Sequence, residues 1–114
     1  MRGILINPFD EIIKVVVLTG NYKEIYALIE CTTFDCVDID EHNTMYIDDE
    51  GLLKEPNRYF SIQGRNYAGS GLIIGNNDEG ESIDSTLTVE QIKDMISFLP
   101  KGYKKEPFFS FHEL

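Results

Sequence analysis

The amino-acid sequence predicts an α+β fold in which a mainly antiparallel sheet of five or six short strands is combined with two helices. Short β-branched runs separated by turn residues indicate the strands. Two segments, about residues 22–30 and 89–99, instead repeat their apolar residues at helical spacing. With 114 residues, of which 42% are hydrophobic, the chain has about the length of one domain.

The first third of the chain predicts a β-hairpin followed by a helix. Residues 4–6 and 12–18 are the apolar strands, and residues 7–10, Asn-Pro-Phe-Asp, have the composition of a turn. Asn21 is then suited to cap the first helix, over about residues 22–30.

The middle of the chain predicts further strands. Residues 34–40 alternate between apolar and acidic side chains and are followed by the apolar run 45–47, which indicates a second hairpin. Short strands are expected at 59–62 and 72–74, with glycine-rich, polar residues between them. Residues 76–85 are expected to form an exposed acidic loop.

The second helix has the clearest start signal. Residues 88–91, Thr-Val-Glu-Gln, form a capping box, and Pro100 ends the helix predicted over about residues 89–99. We therefore expect one acidic domain over residues 1–99 and a basic, aromatic tail over residues 100–114. The tail is expected to add an edge strand or to mediate an interaction, including self-association.

The charge balance restricts the function classes. Ten basic and twenty acidic residues give a net charge of −10, and residues 1–99 carry seven and eighteen of them. Such a surface repels phosphates, so direct binding of nucleic acid is disfavoured. No apolar run is long enough to cross a bilayer, and the start of the chain lacks the pattern of a secretory signal. A protein of the host cell cytoplasm, without membrane contact, is expected.

The acidic residues predict an interaction surface for a basic partner, with a solvated face that only maintains solubility as the alternative. The residues assigned to this surface are Asp35, Asp38, Asp40, Glu41, Asp48, Asp49, Glu50, Asp78, Glu79 and Glu81.

A second candidate site groups scarce arginines with turn residues. Guanidinium groups bind phosphates or carboxylates, so a small anionic ligand could bind there. Alternatively, the arginines pair with the surplus carboxylates of the chain itself. The candidate residues are Asn57, Arg58, Tyr59, Arg65, Gly69 and Gly71.

No catalytic, metal or cofactor site is predicted. His42 and His112 lie outside any nucleophile–base motif. The segment 38–49 superficially resembles a calcium loop, but it has Asn43 in place of the glycine and Asp49 in place of the final glutamate. Three candidate zinc ligands lack a fourth at zinc spacing: Cys31, Cys36 and His42.

Several short motifs occur in an order that resembles a family of small domains of unknown function carried by phages and mobile elements. The resemblance covers about residues 1–99 and implies no catalytic residues, while the tail departs from the family. The motifs follow an N-terminal strand and are Tyr46-Ile47-Asp48-Asp49-Glu50-Gly51-Leu52-Leu53-Lys54, Pro56-Asn57-Arg58, Gly71-Leu72-Ile73-Ile74-Gly75 and Leu87-Thr88-Val89-Glu90-Gln91-Ile92.

Two functions follow from these observations. The first is a non-enzymatic accessory protein that binds and inhibits or modulates a host protein through its acidic surface, in an anti-defence or host-takeover role. The second is a protein that sequesters a small ligand, such as a nucleotide signal, near Arg58 without converting it. An enzyme in which Asp48 and Asp49 assist a metal is a weaker third possibility.

Overall fold

The computed structural model describes residues 1–51, 58–100 and Gly102. In this part of the chain there are nine strands and two short helices. In chain order they are β1 (Arg2–Asn7), β2 (Ile12–Val17), α1 (Lys23–Ile29), β3 (Phe34–Asp40), β4 (Asn43–Asp48), β5 (Tyr59–Ile62), β6 (Arg65–Ala68), β7 (Gly71–Asn76), β8 (Ser82–Ile83), α2 (Val89–Met95) and β9 (Ile96–Phe98).

The strands form two antiparallel sheets. The main sheet has the order β2-β1-β7-β4-β3, and the short strand β8 pairs with the end of β7 as its sixth member. The second sheet has the order β6-β5-β9. The predicted α+β class, the antiparallel pairing and the two helices are confirmed, and so are the hairpins β1–β2 and β3–β4.

Alternate side chains of the main-sheet strands point to opposite sides. Each side packs against other elements, so both faces of the main sheet are covered. One core cluster joins Ile4, Ile6 and Ile73 to Phe60 of the second sheet and Ile92 of α2. The other joins intervening residues of the main sheet to α1, and its buried members are Leu5, Leu18, Ile25, Ile29, Leu72 and Ile74. The two helices therefore lie on opposite faces.

Three stretches differ from the prediction, each because of a strand pairing that the local pattern did not indicate. The helix predicted to reach Leu99 ends at Met95, since residues 96–98 pair with β5 as β9. The glycine-rich stretch contains β6, which also pairs with β5. The expected loop 76–85 contains β8, and its last residue, Ser85, is buried.

The predicted start of α2 is confirmed, whereas the predicted cap of α1 differs from the structure. At α2 the capping box is present: the hydroxyl of Thr88 accepts from the backbone N–H of Gln91, whose side chain accepts from Thr88 in return. At α1 the capping position is Tyr22, which provides no side-chain cap, and Asn21 accepts from the backbone N–H of Lys23 at 2.9 Å. The predictions for Asn57 and for a tail over residues 100–114 lie outside the described residues, apart from Pro100 and Gly102.

Candidate functional site

Exposed carboxylates are concentrated along β3, which is an end strand of the main sheet and pairs with β4 on one side. Val37 and Ile39 pack against one core cluster, whereas Asp35, Asp38 and Asp40 are exposed. We call Asp35, Asp38, Asp40 and Glu41 the acidic edge. It follows the length of β3 and continues into the turn before β4.

Local hydrogen bonds hold the backbone and side chains of the acidic edge. Oδ1 of Asp35 accepts from the backbone N–H of Cys36 at 2.9 Å. Oδ1 of Asp40 accepts from the backbone N–H of His42 at 2.8 Å and from Nδ2 of Asn43 at 3.0 Å. The carboxylates of Asp35 and Asp40 therefore occupy defined positions on a β-hairpin, which is more rigid than a free loop.

The acidic edge lacks neutralising partners within the described ranges 1–51 and 58–100. There, no lysine or arginine lies within ion-pair distance of Asp35, Asp38 or Asp40. Glu41 lies 3.7 Å from the imidazole of His42, a half-exposed side chain that is charged only when protonated. With respect to the lysines and arginines that the structure describes, the edge is a concentration of uncompensated negative charge.

Other predicted surface acids lie at the two ends of β3. At its start, the backbone N–H of Asp49 donates to the carbonyl oxygen of Thr33, and Thr32 donates to the carboxylate of Glu50. At its far end, the backbone N–H of Asn76 donates to the carbonyl oxygen of His42. This bond brings the turn of residues 77–81, which carries Asp78, Glu79 and Glu81, next to the β3–β4 turn.

Asp48 differs from the other acids that the sequence places on the surface. Only 8% of it is exposed, and its Oδ1 accepts from the backbone N–H of Glu50 at 2.9 Å. The strand alternation that exposes its neighbour Asp49 turns Asp48 inward. Asp48 thus shapes the chain at the end of β4 and is not part of the exposed surface.

The negative charge of the acidic edge acts on Cys36. Partial burial raises the pKa of the Cys36 thiol above its ordinary value, and the carboxylates of Asp35 and Asp38 raise it further. The thiol therefore stays protonated at neutral pH.

Alkylation of Cys36 should report this effect. We expect N-ethylmaleimide to modify Cys36 more slowly than a free thiol at pH 7.5, with a rate that rises as the pH increases, because only the thiolate reacts. Asp35→Asn should speed the reaction, since it removes a charge but keeps an oxygen that can accept from Cys36. Asp10→Asn, in the β1–β2 turn, is the control. The rate is measured by peptide mapping, and equal rates for both variants would contradict the electrostatic effect.

The residues proposed for an anionic ligand are only partly brought together. Nη2 of Arg58 donates to Oε2 of Glu11 at 3.0 Å, and the backbone N–H of Gly69 donates to the carbonyl oxygen of Arg58. Tyr59 is buried in β5. Arg65 lies at the opposite end of the β5–β6 hairpin, where it pairs with Ile62.

Gly71 has a packing role in this region. It is buried in β7, where a Cβ atom would lie 2.9 Å from Cζ of Phe60 and 3.2 Å from Sδ of Met45. The lack of a side chain lets the ring of Phe60 lie directly on the main sheet. Anion binding near Arg58 stays a prediction, and the observed Glu11 contact corresponds to the internal pairing considered as its alternative.

The sequence did not indicate a hollow between α1 and the main sheet. Its volume is about 290 Å³, and its walls include the aromatic side chains Tyr22, Phe34 and Tyr46. Tyr22 directly precedes α1, and Phe34 and Tyr46 lie in β3 and β4, so only the fold brings them together. In the sequence, the signal that could have indicated the hollow is the recurrence of aromatic residues at positions 22, 26, 34 and 46.

The described residues show neither a grouped set of metal ligands nor a membrane-spanning helix. Among those that the structure describes, no three or more His, Cys, Asp or Glu side chains are grouped so that they could hold a metal ion. Neither Cys31 nor Cys36 takes part in a disulfide bond. Neither described helix has the length and apolar character that crossing a membrane requires.

Comparison with known proteins identifies the family. The model of a family described as "Domain of unknown function (DUF3846)" matches residues 1–97. No curated protein and no solved structure matches the chain. Since the match spans most of the 114 residues, the chain belongs to the DUF3846 family of domains of unknown function.

Proposed function

We propose that this domain is a non-enzymatic binding protein of phage or mobile-element origin that inhibits or modulates a basic host protein through its acidic edge. The observation that carries the proposal is the row of exposed carboxylates along β3, without lysine or arginine partners in the described ranges. The order of the sequence motifs supports the origin, and the net charge of −10 supports the choice of a basic partner.

The geometry of the acidic edge suits recognition of a basic surface. A six- to seven-residue strand is about 20 Å long, so its carboxylates can meet several lysine or arginine side chains at once. Their positions are held by the hairpin, so little side-chain order has to be gained on binding. Charge complementarity of this kind steers association and sets specificity, and it weakens as salt rises.

This arrangement can also imitate a nucleic acid. Carboxylates spaced along an extended strand present negative charge to a protein surface that otherwise contacts phosphates. A host protein that handles nucleic acid therefore has the complementary surface. Sequestration of a small anionic ligand is less favoured, because Arg58 is in contact with Glu11.

The test compares two variants, in each of which three carboxylates are replaced by neutral amides. The change in net charge is therefore the same in both. The edge variant is Asp35→Asn, Asp38→Asn and Glu41→Gln. The control variant is Asp10→Asn, Glu90→Gln and Asp94→Asn, which changes exposed acids in the β1–β2 turn and on α2. Each tagged protein is used to capture partners from host cells at low and high salt, and the captured protein is then purified for binding measurements.

The edge variant should bind the purified partner at least about tenfold more weakly than the wild type, whereas the control variant should bind nearly as well. The affinity of the wild type should fall steeply between about 50 and 500 mM salt. Equal losses in the two variants would show that net charge, not the acidic edge, determines binding. Salt-independent binding would also refute the proposal.

A further inference from the structure

The hollow beside α1 has the size of a small ligand site. A cavity of roughly 150 Å³ is enough for one six-membered ring, and ordinary ligand pockets begin near about 300 Å³. The volume of about 290 Å³ is therefore sufficient for a compact molecule or one long side chain. Its floor is apolar and includes Leu18, Ile25 and Ile74, while Tyr22 at the rim is 61% exposed.

Aromatic rings in different orientations form the walls of the hollow. The rings of Phe34 and Tyr46 lie 5.2 Å apart, with an angle of 83° between their planes. Tyr26 contacts both Phe34 and Tyr22, at centroid distances of 5.1 and 6.1 Å, and so supports the row. Phe34 and Tyr46 are thus in edge-to-face contact with each other, and a ring face that borders the hollow can attract a cation.

The described part of the chain gives the hollow polar groups but no charged side chain. Cys36 and Ser82 contribute to its lining. Burial raises the pKa of Tyr46, so its hydroxyl stays protonated at neutral pH. Among the residues that the structure describes, no Asp, Glu, Lys or Arg lines the hollow. None of these residues therefore offers a cationic side chain to a ligand anion.

The surrounding charges favour a cation. Asp35 and Asp38 lie close enough to Cys36 to affect its ionisation, so their negative potential extends to the hollow. The opposing charge at the rim is the ammonium group of Met1, which donates to the carbonyl oxygen of Leu18. Aromatic faces and a negative potential both distinguish a cation from a neutral molecule of the same shape.

We propose that this hollow is a binding site for an organic cation whose methylated ammonium or guanidinium group sits against Tyr22, Phe34 and Tyr46. The same group can be presented by a free small molecule or by a cationic side chain of a protein. This inference does not depend on the acidic edge binding a host protein, because the probes that test it are small molecules.

The experiment uses pairs of probes that differ in charge but hardly in shape. Choline is compared with its neutral isostere 3,3-dimethylbutan-1-ol, and N-acetyl-arginine amide with N-acetyl-citrulline amide. Each is titrated into the isotopically labelled full chain at constant ionic strength, and binding is followed by nuclear magnetic resonance shifts. We expect at least one cation to bind about tenfold more tightly than its neutral partner, with shifts centred on Tyr22, Phe34 and Tyr46.

The two pairs separate the possible sources of the group. Preference for choline alone indicates a free methylated ammonium compound, and preference for the arginine derivative alone indicates a protein side chain or free guanidinium. Preference in both pairs supports a general cation site. Equal binding of cation and isostere in both pairs, or no binding of either cation, would overturn the proposal.

A variant pair tests whether the aromatic wall is responsible. Tyr22→Leu removes a ring at an exposed position that provides no cap to α1, so the fold should be retained. Phe9→Leu removes an exposed ring in the β1–β2 turn and is the control. Tyr22→Leu should reduce the preference for the cation at least about threefold, and Phe9→Leu should leave it unchanged. A preference that survives Tyr22→Leu would reflect general attraction to an acidic protein and would refute the site.

A second measurement reports occupancy directly. Because Cys36 lines the hollow, a bound cation should protect its thiol from the uncharged reagent N-ethylmaleimide. Protection should follow the same concentration dependence as the resonance shifts. Alkylation that proceeds equally fast with the hollow saturated would contradict the proposed position.

Discussion

Replacing Asn43 by leucine should lower the free energy of unfolding by about 3 kcal/mol. Asn43 is 0% exposed and stands at the start of β4. Its Nδ2 donates to Thr86 at 2.7 Å and to Asp40 at 3.0 Å. Its Oδ1 accepts from the hydroxyl of Ser85 at 2.7 Å and from the backbone N–H of Thr86 at 3.2 Å.

The amide of Asn43 therefore joins the β3–β4 turn to the segment between β8 and α2. Leucine has the same number of side-chain heavy atoms and the same branch at Cγ, but it satisfies none of these groups, so the buried hydroxyl of Ser85 would lose its acceptor. An unsatisfied buried polar group costs more than the hydrogen bond contributes, which is the reason for the large expected effect.

Thermal and denaturant unfolding measure this prediction. Asn43→Leu should lower the Tm by roughly 10–15 °C. The control is Thr86→Val, which removes one hydroxyl of the same network at an exposed position and should lower stability by about 1 kcal/mol or less. A stability of Asn43→Leu within 1 kcal/mol of the wild type would show that the network contributes little.

Gly75→Ala is expected to be at least as disruptive, for a steric reason. Gly75 lies in β7 between Asn43 of β4 and Ile83 of β8. A Cβ atom on Gly75 would lie 2.2 Å from the carbonyl oxygen of Asp84 and 2.8 Å from its carbonyl carbon. Backbone atoms cannot rotate away as a side chain does, so β8 would have to separate from β7.

We expect Gly75→Ala to lower the free energy of unfolding by about 3 kcal/mol or more and to increase amide hydrogen exchange over residues 82–87. Gly64→Ala is the matched control: Gly64 has a φ of 79°, but an added Cβ meets nothing within 4 Å. Its cost should be about 1 kcal/mol, from backbone conformation alone. If Gly75→Ala is no worse than Gly64→Ala, the close approach of β8 to β7 is not required for stability.

Local sequence patterns predicted the elements whose signals lie within a few residues. The hairpin β1–β2 follows from two apolar runs around an Asn-Pro turn, and the start of α2 follows from the reciprocal bonds of Thr88 and Gln91. Alternation along residues 34–40 placed Val37 and Ile39 on the side that packs against the core, but it placed Asp35 on that side too, and Asp35 is exposed. In the hairpin and at the helix start, the groups that interact are close in sequence, so a pattern is sufficient to predict them.

Contacts between residues that are far apart in the chain explain why the prediction missed the end of α2 and the burial of Asp48. Residues 96–98 continue the apolar spacing of α2, but the main-chain groups of β5 bind them as a strand. Asp48 belongs to the same acidic run as Asp49 and Glu50, yet its position at the end of β4 buries it. Tertiary context overrides local propensity at such positions, because burial depends on what the rest of the chain places beside them.

The sequence by itself determined the α+β class, the positions of both helices, the surplus of negative charge and the short motifs that resemble a known family. These properties depend on composition and on neighbouring residues. Only the tertiary structure decided which carboxylates form one edge. It also decided that Arg58 contacts Glu11, which lies 47 residues earlier in the chain. Finally, it placed rings from the start of α1, from β3 and from β4 around one hollow. Such arrangements depend on the order and register of paired strands, which bring together residues far apart in the chain.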